Sequence, residues 1–579
     1  MKKMLLGNAA VARGLYEAGC RFVSAYPGTP STEIPEQAAL YDEIYAEWAP
    51  NEKVAMEAAI GASIGGGRSF CAMKHVGLNV AADPLFTASY TGVNGGMVIA
   101  VADDPGMHSS QNEQDSRHYA IAAKLPMVEP SDSTDCLEFT KLAYDISEEF
   151  DTPVILRTCT RVAHSQSLVE LSPRTEYPLR PYVKDPAKYV MTPGNAIKRH
   201  PIVEERMVKL AEYSENTPMN SMEIGDTSVG YITSGVSYHY LRECFPDASI
   251  FKIGMVNPLP LKKLAEFASK VDKVIVVEEL DGIIETQMRA AGIKVDGGKD
   301  IFGLLGEFSQ GKIMKALGKD VPECTEFDEV VPPRPPALCP GCPHRGTFYV
   351  LHKMGLNVFG DIGCYTLGAM PPLSSVDTTV CMGASVSGIH GFTTVRGEEA
   401  AKKTVAVIGD STFMHSGITG LVNIVYNKGI STVIILDNSI TGMTGHQQNP
   451  TTGKNLKGEP APIVSLEKLC EAIGIKDVRI CDPYDLDKFK TIVSEELAKD
   501  EPSVIIARRP CMLLPEVKAA PPLSVDRDKC KSCRQCMGIG CSAISFVDKK
   551  ATIDSTLCVG CELCYKLCKF GAIGKKEGK

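Results

Sequence analysis

The sequence predicts an α/β protein with several doubly wound parallel sheets, followed by a small cysteine-rich domain at its C-terminal end. Three observations support this fold class. The chain has 579 residues, which exceeds what one hydrophobic core serves and indicates three or four domains. Short apolar runs alternate with longer helical patterns, as in parallel sheets covered by helices on both faces. The last fifty residues contain eight cysteines.

Composition limits the classes of function. Hydrophobic residues make up 44% and charged residues 23% of the chain, which is ordinary for a soluble globular protein. A net charge of -9 argues mildly against nucleic acid as a partner. The segment Met1–Cys20 has an amphipathic helical pattern instead of a signal peptide's pattern, and no apolar run is long enough to span a bilayer. With 21 cysteines and no export signal, we expect a reducing cytoplasm, where thiolates bind metals.

Buried strands are predicted where apolar runs precede loop residues and a helical pattern. Ligands of such folds bind outside the carboxyl ends of the strands, so the residues directly after each run matter most. The runs are Phe22–Tyr26, Gly96–Val101, Val274–Val277, Val405–Ile408 and Thr432–Leu436.

Linkers are predicted at three proline-rich or mixed polar stretches, 176–198, 330–336 and 515–522. They divide the chain into four predicted domains. The domains cover residues 1–180, 195–325, 335–515 and 522–579.

The eight C-terminal cysteines have the spacings C-x2-C-x2-C-x4-C and C-x2-C-x2-C-x3-C. This double run is the ligand pattern of two [4Fe–4S] clusters, in which the fourth cysteine of each run binds the other cluster. Zinc ligation and disulfides are alternatives, but zinc usually needs paired C-x2-C units with a longer loop between them. The x4 spacing is longer than the common x3 and predicts an altered backbone around the second cluster. The predicted ligand sets are Cys530, Cys533, Cys536 and Cys568 for the first cluster, and Cys541, Cys558, Cys561 and Cys564 for the second.

A magnesium site is predicted after the strands of the third domain. Gly409-Asp410-Ser411 follows one strand and Asp437-Asn438-Ser439-Ile440 follows the next. The Asp410 carboxylate, the Asn438 side-chain carbonyl and the Ile440 backbone carbonyl would leave room in an octahedral shell for a diphosphate. Each pair of residues alone is also a common turn after a strand.

Together these residues resemble the thiamine diphosphate signature, with Ser411 in place of its second glycine and Asp437 in place of its first asparagine. The loop that follows, with Gly442 and Thr444, would offer free N–H groups near the diphosphate. The sequence therefore predicts that thiamine diphosphate and Mg²⁺ bind in this domain.

The chain resembles the 2-oxoacid:ferredoxin oxidoreductase family, and within it the large subunit of the indolepyruvate branch. The resemblance covers essentially the whole chain, and a ferredoxin module fused at the C-terminus is specific to that subunit. It implies a pyrimidine-binding-type thiamine domain over 1–180, a transketolase C-terminal-like domain over 195–325 and a diphosphate- and Mg-binding domain over 335–515. The motifs that carry it are Ala25–Thr32, Met73–Asn79, the Cys339-Pro-Gly-Cys342 block, the thiamine signature and the two cysteine runs.

The resemblance implies oxidative decarboxylation of arylpyruvates (indolepyruvate, phenylpyruvate and hydroxyphenylpyruvate) with CoA as co-substrate, giving an acyl-CoA, CO2 and reduced ferredoxin. It also implies a smaller beta subunit in an α2β2 hetero-oligomer. Branched-chain or other 2-oxoacids remain alternative substrates. A non-oxidative thiamine decarboxylase would have little use for eight cluster ligands, and a pure electron carrier would not need Asp410 and Asn438.

The resemblance also assigns candidate catalytic residues. Glu52 at a helix start is implied as the acid that hydrogen-bonds the aminopyrimidine ring and activates thiamine, with Glu57 as its competitor. Thr29 matches a threonine near the substrate carboxylate, although it would equally cap the next helix with Ser31 and Thr32. Lys74 and His75 follow another strand and are candidates for contact with the substrate carboxylate or CoA, with a structural role as the alternative for the histidine.

A third cluster is a further hypothesis from the resemblance. Relatives carry a cluster close to thiamine, and the same cysteine types occur here. The alternative is that these cysteines are packing thiols. The residues are Cys339, Cys342, Cys364 and Cys511.

Overall fold

The computed structural model describes residues 1–323, 330–332 and 335–575. It divides into two compact units, Met1–Phe327 and Asp328–Lys579, which we describe separately. Part of the predicted linker 330–336 lies outside the described residues. The division into four domains remains a prediction.

The first unit is organised around a seven-stranded sheet. Its central strands are mostly apolar and buried on both faces, as expected for parallel strands between helical layers. All neighbouring strands are parallel except the first pair, which is antiparallel. The order across the sheet is Met255–Asn257, Met127–Val128, Val154–Cys159, Met97–Asp103, Ser69–Lys74, Phe22–Ala25 and Tyr45–Trp48.

Two smaller sheets complete this unit. A four-stranded sheet has the order Val274–Val277, Asp226–Ser234, Ala248–Ile253 and Ser221–Glu223, and Lys2–Leu6 pairs antiparallel with Gln166–Glu170. The helices of eight residues or more are Gly7–Glu17, Glu52–Ile64, Ala82–Thr91, Ser133–Phe150, Pro193–Ser214, Ser237–Cys244, Leu261–Ala268 and Ile283–Ala290. The shorter helices are Glu33–Ala38, His75–Val80, Arg117–Ala123, Thr160–His164, Pro186–Tyr189, Lys299–Phe302 and Gln310–Ala316.

The second unit contains a five-stranded, fully parallel sheet. Its strand order is Asn357–Phe359, Thr404–Gly409, Thr432–Asp437, Ser503–Arg508 and Val478–Cys481. Helical segments on its two faces are His344–Met354, Cys364–Ala369, Ala384–Arg396, Glu398–Ala401, Asp410–Thr412, Phe413–Gly417, Ile418–Tyr426, Leu466–Ile473 and Leu486–Leu497.

The C-terminal part of the second unit forms a small domain with its own core. Two antiparallel strand pairs, Leu523–Val525 with Ile573–Lys575 and Ile544–Val547 with Lys550–Ile553, enclose two short helical segments, Gln535–Ile539 and Leu563–Leu567. Cysteines form a large part of this core. The α/β fold with parallel sheets and a small C-terminal cysteine-rich domain is therefore confirmed.

The predicted strands occur with small shifts of their ends. Val274–Val277 is unchanged, whereas the run predicted over Gly96–Val101 forms a strand over Met97–Asp103. The helical interpretation of Met1–Cys20 is wrong at its start, because Lys2–Leu6 is a strand and the helix begins at Gly7. The strand forms because Gln166–Glu170 offers it an edge, a partner about 160 residues away that a local pattern does not reveal.

Membrane-spanning helices were searched for over the described ranges. None of the helices found there is long and apolar enough to cross a bilayer.

Candidate functional site

Three potential metal ligands meet at the carboxyl edge of the five-stranded sheet. Asp410 follows the strand Thr404–Gly409, and Asn438 follows Thr432–Asp437, its immediate parallel neighbour. The side-chain amide atom of Asn438 that faces Asp410, either its oxygen or its nitrogen, lies 3.2 Å from Asp410 Oδ1. The same atom lies 3.0 Å from the Ile440 carbonyl oxygen. The structure thus brings together the three residues predicted as magnesium ligands.

The orientation of the Asn438 amide decides what this group of atoms is suited for. If its nitrogen faced the other two atoms, it would donate hydrogen bonds to both. If its oxygen faces them, three oxygens converge without a hydrogen between them. Octahedral Mg²⁺ with bonds near 2.1 Å requires adjacent ligands about 3.0 Å apart, which agrees with the observed spacing. The donor set of carboxylate, amide and backbone carbonyl therefore fits Mg²⁺.

The electrostatics around Asp410 favour a cation. Burial and the neighbouring Asp437 raise the pKa of Asp410 to about 7. Arg508 is already engaged, since its Nε lies 2.6 Å from Asp437 and its Nη1 lies 2.6 Å from Glu467. A divalent cation at the three oxygens would stabilise the ionised form of Asp410 and lower its pKa.

The loop after Asn438 lies beside these ligands. Thr441 Oγ1 donates to Ser411 Oγ at 2.8 Å, and Thr444 Oγ1 donates to the Gln447 side chain at 2.6 Å. A Cβ atom on Gly442 would lie 3.8 Å from the Asn438 amide. The predicted diphosphate-loop residues Ser411, Gly442 and Thr444 are therefore all placed by contacts within this edge of the sheet.

Sequence reasoning missed two residues at this edge, Asn449 and Thr451. Thr451 Oγ1 donates to Asp410 Oδ2 at 3.3 Å, and both side chains lower the pKa of Asp410 against the effect of burial. Thr451 also donates to Asn449 Oδ1 at 2.7 Å. The available signal was the polar turn sequence Asn-Pro-Thr-Thr-Gly directly after the glycine loop.

The four cysteines of the third-cluster hypothesis lie near one another. Burial first, and then the Cys511 and Cys339 thiols, raise the pKa of Cys364 to about 11. Burial, followed by Cys364 and Cys339, raises the pKa of Cys342 to about 12. Burial, and to a smaller extent Asp410, raises the pKa of Cys511. A Cβ on Gly442 would lie 3.6 Å from Cys364 Sγ. Cys364 and Cys511 therefore lie close to the group of oxygen ligands described above.

The eight C-terminal cysteines line two separate cavities. The two sets are those that the crossing pattern of the double run predicts. Among the described residues, no three His, Cys, Asp or Glu side chains are placed to hold a single metal ion. A [4Fe–4S] cluster does not need such a group, because each of its four thiolates binds a different iron. One cavity is lined by Cys530, Cys533, Cys536 and Cys568, and the other by Cys541, Cys558, Cys561 and Cys564.

The two cavities have different surroundings. Pro340 and Gly341, from between Cys339 and Cys342, also line the Cys541 cavity. Gly341 has φ +73°, and a Cβ there would lie 2.4 Å from Val559 Cγ2, so the close approach requires glycine. The Cys541 cavity is therefore packed against the loop that holds Cys339 and Cys342.

A buried guanidinium joins the same two loops. Arg345 Nη1 donates to the carbonyls of Ile539 at 2.9 Å and Gly540 at 2.5 Å, just before Cys541. Its Nε donates to the Cys339 carbonyl at 3.0 Å, and its Nη2 donates to Leu338. The longer x4 spacing of the first run supplies the Ile539 and Gly540 carbonyls. Arg345 thereby fixes the Cys339 loop against the Cys541 loop.

Tyr484 forms a second connection between these loops. Its hydroxyl donates to the Cys342 carbonyl at 3.1 Å, and burial followed by Cys561 raises the pKa of Tyr484 well above its usual value. Lys566 Nζ, from the C-terminal domain, donates to the Tyr484 carbonyl at 2.9 Å. Neither Tyr484 nor Arg345 belongs to a motif that sequence reasoning selects.

The first unit distinguishes Glu52 from Glu57. Glu52 is buried at the start of the helix Glu52–Ile64, where Asn51 accepts a hydrogen bond from Val54 N at 2.9 Å as the N-cap. A Cβ on Gly77 would lie 2.6 Å from Glu52 Oε1, so the glycine allows the buried carboxyl group to lie against the neighbouring helix. The Glu57 side chain is 47% exposed and paired with Lys53. Burial therefore favours Glu52 over Glu57 as the candidate for the acid that activates thiamine.

Thr29 lies in the loop after the strand Phe22–Ala25, at the carboxyl edge of the seven-stranded sheet. The alternative that it caps the next helix is wrong, because Thr32 is the N-cap residue and no side chain provides the cap hydrogen bond. Thr32 instead accepts from Gly28 N at 3.0 Å, and Ser31 donates to Gly28 O at 2.9 Å. These contacts shape the loop that presents Thr29.

Lys74 and His75 lie at the same sheet edge and are buried. Lys74 Nζ donates to the Ser109 carbonyl at 2.6 Å, and burial lowers its pKa to about 8 against the opposing effect of Asp104. His75 Nε2 lies 3.3 Å from the Asn112 carbonyl oxygen, and burial lowers its pKa as well. Both residues thus hold the loop that follows the strand Met97–Asp103.

Four families match parts of the chain. The family described as "Pyruvate flavodoxin/ferredoxin oxidoreductase, thiamine diP-bdg" matches 13–229, and "Indolepyruvate oxidoreductase domain" matches 247–317. "Thiamine pyrophosphate enzyme, C-terminal TPP binding domain" matches 361–507, and "4Fe-4S binding domain" matches 551–574. The last match includes the second cysteine run only.

Curated relatives match along nearly the full length. The indolepyruvate oxidoreductase subunit IorA of Archaeoglobus fulgidus is 42% identical over 99% of this chain and 97% of its own length. The corresponding subunits of Pyrococcus horikoshii and Thermococcus kodakarensis are 38% and 40% identical, each over 100% of this chain and 98% and 97% of their own.

We predict that replacing Arg345 destabilises the second unit. Arg345→Met would leave four backbone carbonyls, at least two of them buried, without their donor and cost about 3 kcal/mol or more. The melting temperature measured by calorimetry should fall by about 5–10 °C. Arg396→Met, which removes an exposed arginine of the same unit, is the control. Equal melting temperatures of the two variants would contradict the assigned role.

Proposed function

Because the chain belongs to the family of indolepyruvate oxidoreductase IorA subunits, we propose that it catalyses the CoA-dependent oxidative decarboxylation of arylpyruvates. The family places it among the oxidoreductases that act on 2-oxoacids with ferredoxin. In the proposed reaction one 2-oxoacid, one CoA and two oxidised ferredoxins give one acyl-CoA, one CO2, one proton and two reduced ferredoxins. The substrates are indolepyruvate, phenylpyruvate and hydroxyphenylpyruvate.

The observation that carries this proposal is the similarity of the whole chain to IorA subunits, at 42% identity over 99% of its length. The chain contains candidate residues for the thiamine diphosphate and Mg²⁺ site, for the activating acid and for the cluster ligands. The choice of arylpyruvates rests on the names of these relatives. Branched-chain 2-oxoacids remain the second candidate substrates.

In the proposed site Asp410, Asn438 and the Ile440 carbonyl hold Mg²⁺, and the loop residues Ser411, Gly442 and Thr444 surround a diphosphate. Thiamine diphosphate, when bound, supplies the stabilised carbanion chemistry that decarboxylation needs. The close approach of the Asn438 amide to the Asp410 carboxylate and the Ile440 carbonyl supports the metal assignment. CoA is the co-substrate that accepts the acyl group.

The proposed role of Glu52 is to hold a proton against the aminopyrimidine ring nitrogen. Its buried position at the start of the helix Glu52–Ile64 supports this role. Thr29 is the proposed donor to the substrate carboxylate. Lys74 and His75 are proposed to contact that carboxylate or CoA from the same sheet edge.

Electrons are proposed to leave through two [4Fe–4S] clusters at the two cysteine sets of the C-terminal domain. Cys339, Cys342, Cys364 and Cys511 are proposed ligands of a third cluster, and the proximity of Cys511 to Asp410 and of Cys364 to Gly442 supports it. We further propose a smaller beta subunit in an α2β2 assembly, ferredoxin as acceptor and a cytoplasmic location.

Substrate preference is the direct test of the proposed function. We expect the complex co-expressed with the smaller subunit to oxidise indolepyruvate and phenylpyruvate with a kcat/KM at least about tenfold higher than that for 2-oxoisovalerate. Viologen reduction and mass spectrometry of the acyl-CoA product measure it. Preference for the aliphatic acid would overturn the arylpyruvate assignment, and aldehyde release without dye reduction would indicate a non-oxidative decarboxylase.

Glu52→Gln should lower turnover by about 10²–10³-fold, because general acid–base assistance to the cofactor is lost. Glu57→Gln, the matched control, should change it less than about twofold, since exposed ion pairs contribute little. Proton exchange at thiamine C2, followed by NMR without substrate, should slow only in the Glu52 variant. Equal exchange rates in both variants would remove Glu52 from the activating role.

Asn438 variants test the metal ligand. Asn438→Asp keeps an oxygen toward Asp410 and Ile440, so it should retain Mg²⁺-dependent thiamine diphosphate binding within about tenfold. Asn438→Leu removes that oxygen and should weaken binding at least about 100-fold. Calorimetric titration of the apoprotein at fixed Mg²⁺ measures both. If the amide nitrogen faces Asp410, the Asp variant would bring two carboxylates together and bind worse than the Leu variant.

A further inference from the structure

The Cys533 cavity opens to solvent among cations. Cys533 is exposed, and the exposed Lys531 and Arg534 line the same cavity on either side of it. Lys569, next to Cys568, is exposed as well, and Phe570 lines the cavity with about half of its surface exposed. The lining contains neither aspartate nor glutamate. We call these five residues the Cys533 face.

The positive charge of this face is not cancelled by nearby carboxylates. Some other cations of the C-terminal domain form ion pairs: Arg527 lies 3.8 Å from Asp548, and Lys529 lies 3.4 Å from Asp526. Within the described residues, Lys531, Arg534 and Lys569 form no such ion pair. Residues 522–575 contain nine Lys and Arg against five Asp and Glu, whereas the whole chain has 61 against 70. Positive charge is therefore concentrated on a chain that is acidic overall.

The Cys541 cavity borders a different part of the second unit. Pro340 and Gly341 line it, and the Arg345 hydrogen bond to Gly540 holds the Cys339 loop against its wall. It faces inward, toward Cys339 and Cys342, within the second unit. The two cavities thus lie at an inner and an outer position of the same small domain.

We propose that an acidic one-electron carrier protein docks on the Cys533 face and receives its electrons there. Lys531, Arg534 and Lys569 provide positive charge that steers and orients the partner, while Phe570 provides an apolar contact. The step moves one electron from the reduced protein to the oxidised carrier, with no bond formed or broken and no proton transferred. The proposal rests on the proposed function, since it assigns the exit surface of the same reaction.

The test combines a binding measurement with electron transfer. The double variant Lys531→Glu/Arg534→Glu of the full complex is titrated with a purified, negatively charged bacterial-type ferredoxin at low ionic strength. We expect the Kd to rise about tenfold or more, and the effect to shrink at 0.5 M salt, where charges are screened within a few ångströms. Lys490→Glu, an exposed site on the helix Leu486–Leu497, makes the same type of charge change elsewhere and should leave the Kd unchanged.

Reduction of a cationic viologen dye separates docking from damage to the protein. The charge reversal should leave dye reduction equal or faster, because the dye is repelled by the native face. Lys531→Gln/Arg534→Gln should give an intermediate Kd, and its iron content should equal that of the unmodified protein. Loss of ferredoxin binding and dye reduction together in both double variants would overturn the proposal.

The outcomes distinguish this proposal from the function itself. Binding is measured without 2-oxoacid, and electron transfer starts from dithionite-reduced complex, so an incorrect substrate assignment changes neither result. Unchanged ferredoxin Kd values in the charge-reversal variant would overturn the docking surface even if arylpyruvate oxidation is confirmed. Salt-sensitive binding of an oligonucleotide or of anionic vesicles, lost in the same variant while ferredoxin binding persists, would also overturn it.

Discussion

The hydrogen bonds of Arg345 are the contact on which the second unit's arrangement of thiols depends. A buried guanidinium is costly unless its donors are satisfied, and here four backbone carbonyls from two distant segments satisfy them. Neither segment can move without leaving a charged group or several carbonyls unpaired. The Cys339 loop and the Cys541 loop are consequently held as one body.

The carboxyl edges of the parallel sheets impose a second constraint. Parallel strands end side by side, so Asp410 and Asn438 meet although 28 residues separate them. The same geometry places the loop of Thr29 and the side chains of Lys74 and His75 at one edge of the seven-stranded sheet. Burial at these edges raises the pKa of Asp410 and lowers the pKa of Lys74. Burial therefore disfavours the charged form of both groups. This is expected at a binding site, where a ligand of opposite charge would stabilise the charged form.

Sequence reasoning succeeded where the rule was local or followed from topology. The two cysteine sets follow from spacing alone, and Asp410, Asn438 and Ile440 follow from the order of strands. The strand Lys2–Leu6 was missed because its partner lies about 160 residues away. Arg345 was missed because its acceptor Ile539 is 194 residues further on. The acceptor is also a backbone carbonyl, which every residue has, so the sequence does not identify it. Glu52 and Glu57 look alike in the sequence, and only burial separates them.

The unusual spacing of the first cysteine run has a structural reason in these contacts. Four residues between Cys536 and Cys541 give the chain room to present the Ile539 and Gly540 carbonyls to Arg345, and Gly540 adopts φ +63° to do so. A loop with one residue fewer would lack part of this turn, so its attachment to the Cys339 loop would be weaker. The insertion therefore serves the inward-facing side of the domain, while the residues around Cys533 remain open to solvent and carry the unpaired cations. The two sides of the small domain therefore differ: one is attached through the Arg345 hydrogen bonds, and the other is exposed and carries positive charge.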